Sequence, residues 1–347
     1  MLTFYNEHHA QHRGRYEIFR GEMVPCFEKP ERAEMVVAEF ARRGLGKIVT
    51  PHGVPLVSLE RIHTPRYLHF LRNAWSEWLA LSPANAEKDA FPAVWPIRSL
   101  RDDIEPDNFC ARMGLYSMDS GTPLTAGTWI AAKTGADCAV NAAHALRLGE
   151  RGTFALTRPP GHHAGADFFG GYCFLNNAAL AAQHLLDDGA TRVAILDIDY
   201  HHGNGTQSIF YNRNDVLFVS IHADPRAEYP FYLGHGDETG EGAGLGFNMN
   251  LPLAAGSTPA QWFAALETAC FKLASFAPDA LVVSLGVDTF AGDPLSHFAL
   301  QSADFLRIGE RIAALGLPTA FMFEGGYAVG ELGINVVNVL EGFETAL

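Results

Sequence analysis

Two hydrophobic periods take turns along this chain. Short apolar runs rich in Val, Ile, Leu and Phe recur at 2–5, 153–157, 192–199, 216–222, 280–286 and 319–324, and each reads as a buried strand. Between them, apolar residues spaced three or four apart predict helices at 31–43, 65–81, 124–148, 175–186, 259–275, 303–315 and 332–344. The first follows Pro30, which suits a helix start. Alternating strand and helix imply an α/β fold: a single-domain three-layer αβα unit over 1–347 whose mostly parallel central sheet is covered by helices on both faces. Ligands then bind outside the carboxyl ends of the strands. The Ala-rich helix at 124–148 is expected to face the core and carry no chemistry.

One stretch breaks the pattern. Residues 82–113 are interrupted by Pro83, Pro92, Pro96 and Pro106 and carry Arg98, Arg101, Asp102, Asp103, Glu105 and Asp107. A loop this long inside a domain is expected to be functional or to contact another subunit. No internal repeat or low-complexity segment stands out.

The apolar run at 192–199 turns polar abruptly, as Leu196-Asp197-Ile198-Asp199-Tyr200-His201-His202-Gly203-Asn204-Gly205. Period two sends Asp197, Asp199 and His201 to one face and Leu196, Ile198 and Tyr200 to the other. Two carboxylates buried side by side need counter-charge, and a divalent metal is the simplest source. A lone Asp-x-His at a strand end is more often a loop or helix cap. Here the density of the cluster and the groups found elsewhere reverse that preference.

Asp288 follows the apolar run ending at Val287, where its carboxylate would meet Asp199 and His201 across the sheet; capping a helix is the competing reading. Two Asp and one His leave the fourth tetrahedral position open, the arrangement of a catalytic zinc site. Two carboxylates cancel most of the charge of Zn²⁺, so water there is acidified less and a general base is required. His162 and His163, after Pro159, Pro160 and Gly161, supply it, with His162 taken as the base and Asp197 orienting one ring. A lone buried His is more often structural, but a tandem pair beside a metal site favours catalysis. In Glu324-Gly325-Gly326-Tyr327 the glycines let a Tyr hydroxyl swing in as oxyanion donor. Metal, base and donor together specify hydrolysis of an amide or ester carbonyl.

Composition narrows the partners. Over 347 residues the hydrophobic share is 48% and the charged share 18%, mean hydropathy is +0.02, and no apolar run reaches the roughly eighteen residues of a membrane span. The net charge of -14 argues against nucleic acid or an anionic membrane and favours a small cationic ligand. Cys26, Cys110, Cys138, Cys173 and Cys270 form no CxxC pair, which suits free thiols in a reducing cytosol. The start, MLTFYNEHHAQH, lacks a basic region followed by an apolar core, so a cytoplasmic setting is expected.

RPPGHHA, GGYCFLNN, LDIDYHHGNGTQ, SLGVDTFAGDP and EGGY, in this order, resemble the arginase and deacetylase superfamily over most of the chain. Within it the chain is similar to the acetylpolyamine amidohydrolases and the related class II histone deacetylases. The resemblance implies Asp199, His201 and Asp288 as ligands of one Zn²⁺, His162 and His163 as the base and acid pair, and Tyr327 as oxyanion donor. It further implies one or two structural K⁺ ions, held by the Asp197 carboxylate, the Ser220 hydroxyl and the backbone of Asp199, His201 and Ile221. Tyr172 and Tyr229, with Gly171, match a narrow substrate tunnel, although both tyrosines would also pass as core aromatics. Asn204 stands where class I members carry an Asp, so His163 is expected to keep a lower pKa than His162.

The pattern departs at Gly121, where one polyamine-deacetylating member has a Glu; Asp119 or the acidic stretch 102–107 is the expected substitute. The insertion at 82–113 resembles a dimer-forming loop that restricts access, which implies a homodimer. The expected reaction is deacetylation of a small N-acetylated amine such as acetylputrescine or acetylcadaverine. The alternatives are a broad deacetylase of acetyl-lysine peptides, a manganese ureohydrolase, and a non-catalytic metal-dependent binding protein. Fe²⁺ or Co²⁺ also suits this O/N donor set.

Overall fold

The computed structural model describes residues 1–97 and 99–347; Arg98 of the insertion lies outside the described residues. Its strands are β1 (Leu2–Tyr5), β2 (Tyr16–Phe19), β3 (Glu22–Pro25), β4 (Lys47–Val49), β5 (Gly152–Leu156), β6 (Val193–Asp197), β7 (Val216–Ala223), β8 (Asn248–Leu253), β9 (Ala280–Leu285) and β10 (Thr319–Phe323). The helices are α1 (Glu31–Arg43), α2 (Leu56–Leu59), α3 (Pro65–Leu81), α4 (Phe109–Leu115), α5 (Thr128–Arg147), α6 (Asn177–Asp187), α7 (Asn204–Phe210), α8 (Pro259–Phe276), α9 (Ser302–Ala313) and α10 (Val329–Thr345).

Eight strands form one sheet in the order β4-β1-β5-β10-β9-β6-β7-β8, and every pairing in it is parallel. The sheet is therefore covered on both faces, and β6 shows how. Val193 and Ile195 pack into the layer containing α3, α5 and α6, whereas Ala194 and Leu196 pack into the layer of α1, α8, α9 and α10. This is the period-two alternation of a strand buried on both sides, and it explains the near-continuous apolar runs. Among the described residues no helix is long and apolar enough to cross a membrane.

Several expectations change in detail. The strand expected at 192–199 stops at Asp197, so Asp199 and His201 sit in the following turn and not on a regular strand face. Within 82–113 the chain forms a 3-10 turn at Pro83–Glu87 and enters α4, which Asn108 caps by accepting the Ala111 amide at 3.1 Å. The hairpin of β2 and β3, together with β4, β8 and α7, escaped the periodicity reading. These elements are short, and β8 buries Asn248 and Asn250 where an apolar pattern would have revealed it.

Candidate active site

β5, β10, β9 and β6 are neighbours, so the loops after their carboxyl ends meet at one place. After β5 come His162 and His163, after β6 Asp199 and His201, after β9 Asp288, and after β10 Glu324 to Tyr327. Residues far apart in sequence thus converge because parallel strands all end at the same edge.

Oxygens of Asp199 and Asp288 and a ring nitrogen of His201 lie within 4.8 Å of one another. His201 Nδ1 is 3.3 Å from Asp199 Oδ1 and 3.1 Å from Asp288 Oδ2. Both carboxylates are fully buried. Burial and the charge of Asp199 push Asp288 up to about 7, and burial of His201 is outweighed by the two carboxylates, which raise it to about 10. These shifts express missing positive charge. Asp199 is already held ionised by the neighbouring imidazoles, so a cation among the three donors would let Asp288 ionise beside it and displace the proton from His201. The space is also kept clear: a Cβ at Gly286 would strike Asp199, and one at Gly325 would strike both Asp199 and Asp288. The remaining carboxylate oxygens are tied down, since Asp199 Oδ2 accepts the Gly325 amide and Asp288 Oδ1 the Tyr200 amide, each at 2.7 Å. The donor set and the glycine-lined space fit a divalent ion of zinc type.

The tandem histidines stand 4.0 Å apart between ring centres, with different partners. His162 Nδ1 is 2.9 Å from Asp197 Oδ2, and His163 Nδ1 is 2.7 Å from Asn204 Oδ1. Burial lowers both. For His162 the charges of Asp197 and Asp199 win and its pKa is raised to about 10, whereas burial and the neighbouring His162 ring hold His163 well below the ordinary value. The difference has the direction expected from Asn204. Glu324 anchors the loop that carries the pair, its Oε2 accepting the amides of Gly161 at 2.6 Å and His162 at 3.2 Å.

Asp197 and Ser220 are register partners on β6 and β7, and both are fully buried. Asp197 Oδ1 accepts the Asp199 amide at 3.1 Å, while the Ser220 hydroxyl is 2.8 Å from His222 Nδ1. His222 Nε2 is 2.8 Å from the Gly234 carbonyl, so this ring braces the β7 end against the loop beyond it.

A cavity of about 580 Å³ leads to the site, with His163, Gly171, Tyr172, His201, Tyr229 and Tyr327 in its wall. His162 does not line it. Gly171 adopts a positive φ of 53°, and a Cβ there would strike the His163 ring, so a side chain at this position is doubly excluded. The Tyr229 ring stands edge-on to His163 at 5.0 Å. Asp119 also lines the cavity, but its oxygens are engaged: they accept the Tyr229 hydroxyl at 2.7 Å, the Gly171 amide at 2.6 Å and the Gly121 amide at 2.9 Å. Residues 102–107 are not part of the wall.

Sequence reasoning missed Glu17. It lies on β2, lines the cavity, and accepts the Tyr172 hydroxyl at 2.7 Å. Nothing in its neighbourhood signals this, because the short hairpin that carries it stands outside the main sheet. Two groups that fix Tyr327 were also missed. Asp293 Oδ2 accepts the Tyr327 amide at 2.6 Å, and the Arg32 guanidinium lies 4.7 Å from the Tyr327 ring centre while donating to the Gly326 carbonyl at 2.6 Å. Asp293 was visible inside SLGVDTFAGDP, yet only the fold turns it towards Tyr327.

Residues 26–343 match the histone deacetylase domain. The chain belongs to the histone deacetylase family. This deacetylase is 55% identical over 344 residues to acetylpolyamine amidohydrolase 2 of Pseudomonas aeruginosa, with 99% of each chain covered. It is 44% identical over 342 residues to the acetylpolyamine amidohydrolase of Mycoplana ramosa, again with 99% of each covered. Among solved structures, the acetylpolyamine aminohydrolase of Burkholderia pseudomallei superposes with a TM-score of 0.95 at 40% identity, covering 100% of this chain and 99% of that one. The HDA15 HD domain superposes at 0.81 with 25% identity, covering 99% and 89%. The deacetylase is therefore an amidohydrolase with the family's parallel-sheet architecture.

Proposed function

We propose that this amidohydrolase removes the acetyl group from small N-acetylated amines that carry a second, cationic amine, such as acetylputrescine or acetylcadaverine. The observation that carries the reading is the cavity: Tyr172 and Tyr229 line it, and Glu17, Asp119 and Glu228 bring three carboxylates to its wall against the single guanidinium of Arg20. A thin alkyl chain suits the aromatic faces, and an ammonium suits both the rings and the acidic wall. The relatives named acetylpolyamine amidohydrolases point the same way.

Asp199, His201 and Asp288 would hold one zinc ion, which when bound supplies Lewis-acid polarisation of a carbonyl and acidifies water. Asp197 and Ser220 are the side chains proposed for a structural K⁺. We assign the base to His163 in place of His162. His163 lines the cavity, its burial favours an uncharged ring, and the Asn204 amide oxygen at Nδ1 fixes the proton there so that Nε2 is free to take another. His162 is paired with a buried carboxylate that favours the charged ring. His163 then takes a proton from the attacking water and returns it to the departing amine nitrogen. Tyr327 donates its hydroxyl to the carbonyl oxygen as that oxygen gains negative charge. Burial keeps this phenol protonated far above neutral pH.

The insertion is proposed to pair two copies of the chain. Val94, Ile97, Leu100 and Ile104 are each more than half exposed, an apolar row that a second copy would cover. The deciding experiment is a kinetic panel of acetylputrescine, acetylcadaverine, acetylspermidine and acetyl-lysine peptides, with a chelator control. Preference for the peptides would sink the small-amine reading in favour of a broad deacetylase. Chelator-sensitive binding without turnover would replace the catalytic reading with that of a metal-dependent binding protein.

A further inference from the structure

The deacetylase has a second group of converging donors, remote from the cavity. His144 lies in the last turn of α5, His184 in the last turn of α6, and Asp188 caps the end of α6. Three atoms form a triangle: His144 Nδ1 to Asp188 Oδ2 is 3.1 Å, His184 Nε2 to Asp188 Oδ2 is 3.3 Å, and His184 Nε2 to His144 Nδ1 is 3.5 Å. A tetrahedral zinc-type ion with bonds of about 2.0–2.1 Å requires donor separations of about 3.3–3.4 Å. All three sides of the triangle lie close to that value, and all three donors are of the kind such an ion takes.

We propose that His144, His184 and Asp188 form a surface site for a divalent ion of borderline softness, Zn²⁺, Ni²⁺ or Cu²⁺, that clamps α5 to α6. Two further observations support it. Among the described residues, Asp188 makes no ion pair with Arg or Lys, whereas its neighbour Asp187 is taken by Arg61 at 2.9 Å, so the Asp188 oxygen is left to the two imidazoles. The carboxyl ends of two helices meet here, and each adds partial negative charge that favours a cation.

The site is distinct from the catalytic donors. α5 leads into the start of β5 and α6 into the start of β6, so the triangle lies at the amino edge of the sheet while Asp199, His201 and Asp288 lie at the carboxyl edge. The half-exposed His144 leaves the remaining coordination positions to water. With two nitrogens and one oxygen, affinity should follow the order Cu²⁺ above Ni²⁺ and Zn²⁺.

The test uses tag-free holoenzyme, loaded with its catalytic metal and dialysed free of excess. Titration with NiCl₂ and ZnCl₂ by calorimetry, with metal content checked by mass spectrometry, should show one further equivalent per chain. The same additions should raise Tm. In His184→Ala and in His144→Ala the further equivalent and the Tm rise should vanish, while turnover and catalytic metal content stay unchanged. Asp288→Ala should keep the further equivalent, which separates this site from the reading of the active site. Cu²⁺-loaded wild type should show two-nitrogen hyperfine splitting in its electron paramagnetic resonance spectrum. Absence of a further equivalent, or its persistence in either His184→Ala or His144→Ala, overturns the proposal.

Discussion

The Glu17 carboxylate, carried by a hairpin outside the main sheet, accepts the hydroxyl proton of Tyr172 at 2.7 Å. That contact ties the amino-terminal hairpin to the cavity wall and places a buried carboxyl beside the proposed path of a cationic substrate. Burial raises the Glu17 pKa from 4.5 to about 7, although its bonds from Tyr172 and the Phe27 amide pull it back. In the unfolded chain the carboxyl ionises near its ordinary value. The folded state therefore holds an extra proton between about pH 4.5 and 7, and Glu17 weakens stability progressively as pH rises through that window.

Glu17→Gln should remove this dependence. Measured as Tm at constant metal content, the stability of wild type relative to the variant should fall between pH 4.5 and 7 and level off above. The variant should also raise KM for acetylcadaverine about tenfold, the order of one charge-assisted hydrogen bond. An N-acetylated alkylamine without a second amine should show no such rise. Equal effects on both substrates would leave Glu17 only a structural role.

Tyr327→Phe should lower kcat by about 10² to 10³ with little change in KM or metal content, as for loss of one oxyanion donor. Asp293 and Arg32 hold the backbone and ring in place, so the phenylalanine should occupy the same position. Unchanged kcat would take the hydroxyl out of the reaction.

Asp288→Ala should lose the catalytic metal and turnover together, since it removes one of three donors and the charge that balances a dication. Circular dichroism should remain that of the folded protein. Metal analysis showing a full catalytic equivalent with retained activity would show that the donors are misassigned.

Turnover against pH should be bell-shaped, with its acidic limb set by the coupled system that includes His163. Asn204→Asp places a carboxylate where His163 Nδ1 now meets an amide oxygen, favouring the charged ring. The acidic limb of kcat/KM should move to higher pH in that variant. A limb that stays in place would argue against His163 as the base.

Replacing Leu100 and Ile104 with Glu should shift the protein from dimer to monomer in light scattering, because charge in a buried apolar seam is unpaired. If the pairing restricts access as the resemblance implies, the monomer should gain relative activity on acetyl-lysine peptides. A wild-type protein that is already monomeric would end the pairing proposal.

Much of the architecture was legible because each sheet strand near the centre is buried on both faces. Val193 to Leu196 and Ala280 to Leu285 are apolar at every position or nearly so, and periodicity finds such runs directly. The chemistry-bearing motifs were legible too, since His162 with His163, Asp199 with His201, and Gly325 with Tyr327 are local in sequence. The division of labour proposed for the two histidines was not. It depends on which of Asp197 and Asn204 each ring meets, and on which ring faces the cavity.

By itself the sequence determined the strand and helix alternation, the candidate donor residues and the acidic balance of the chain, all of which follow from local composition and spacing. Only the tertiary structure decided that β5, β10, β9 and β6 are neighbours, that β6 ends at Asp197, and that Glu17 reaches Tyr172. The same holds for the triangle of His144, His184 and Asp188, whose members lie on two helices. The physical reason is common to all of them. Periodicity reports how one segment meets solvent and core, whereas the meeting of side chains from different segments depends on strand order and helix packing, which no single segment encodes.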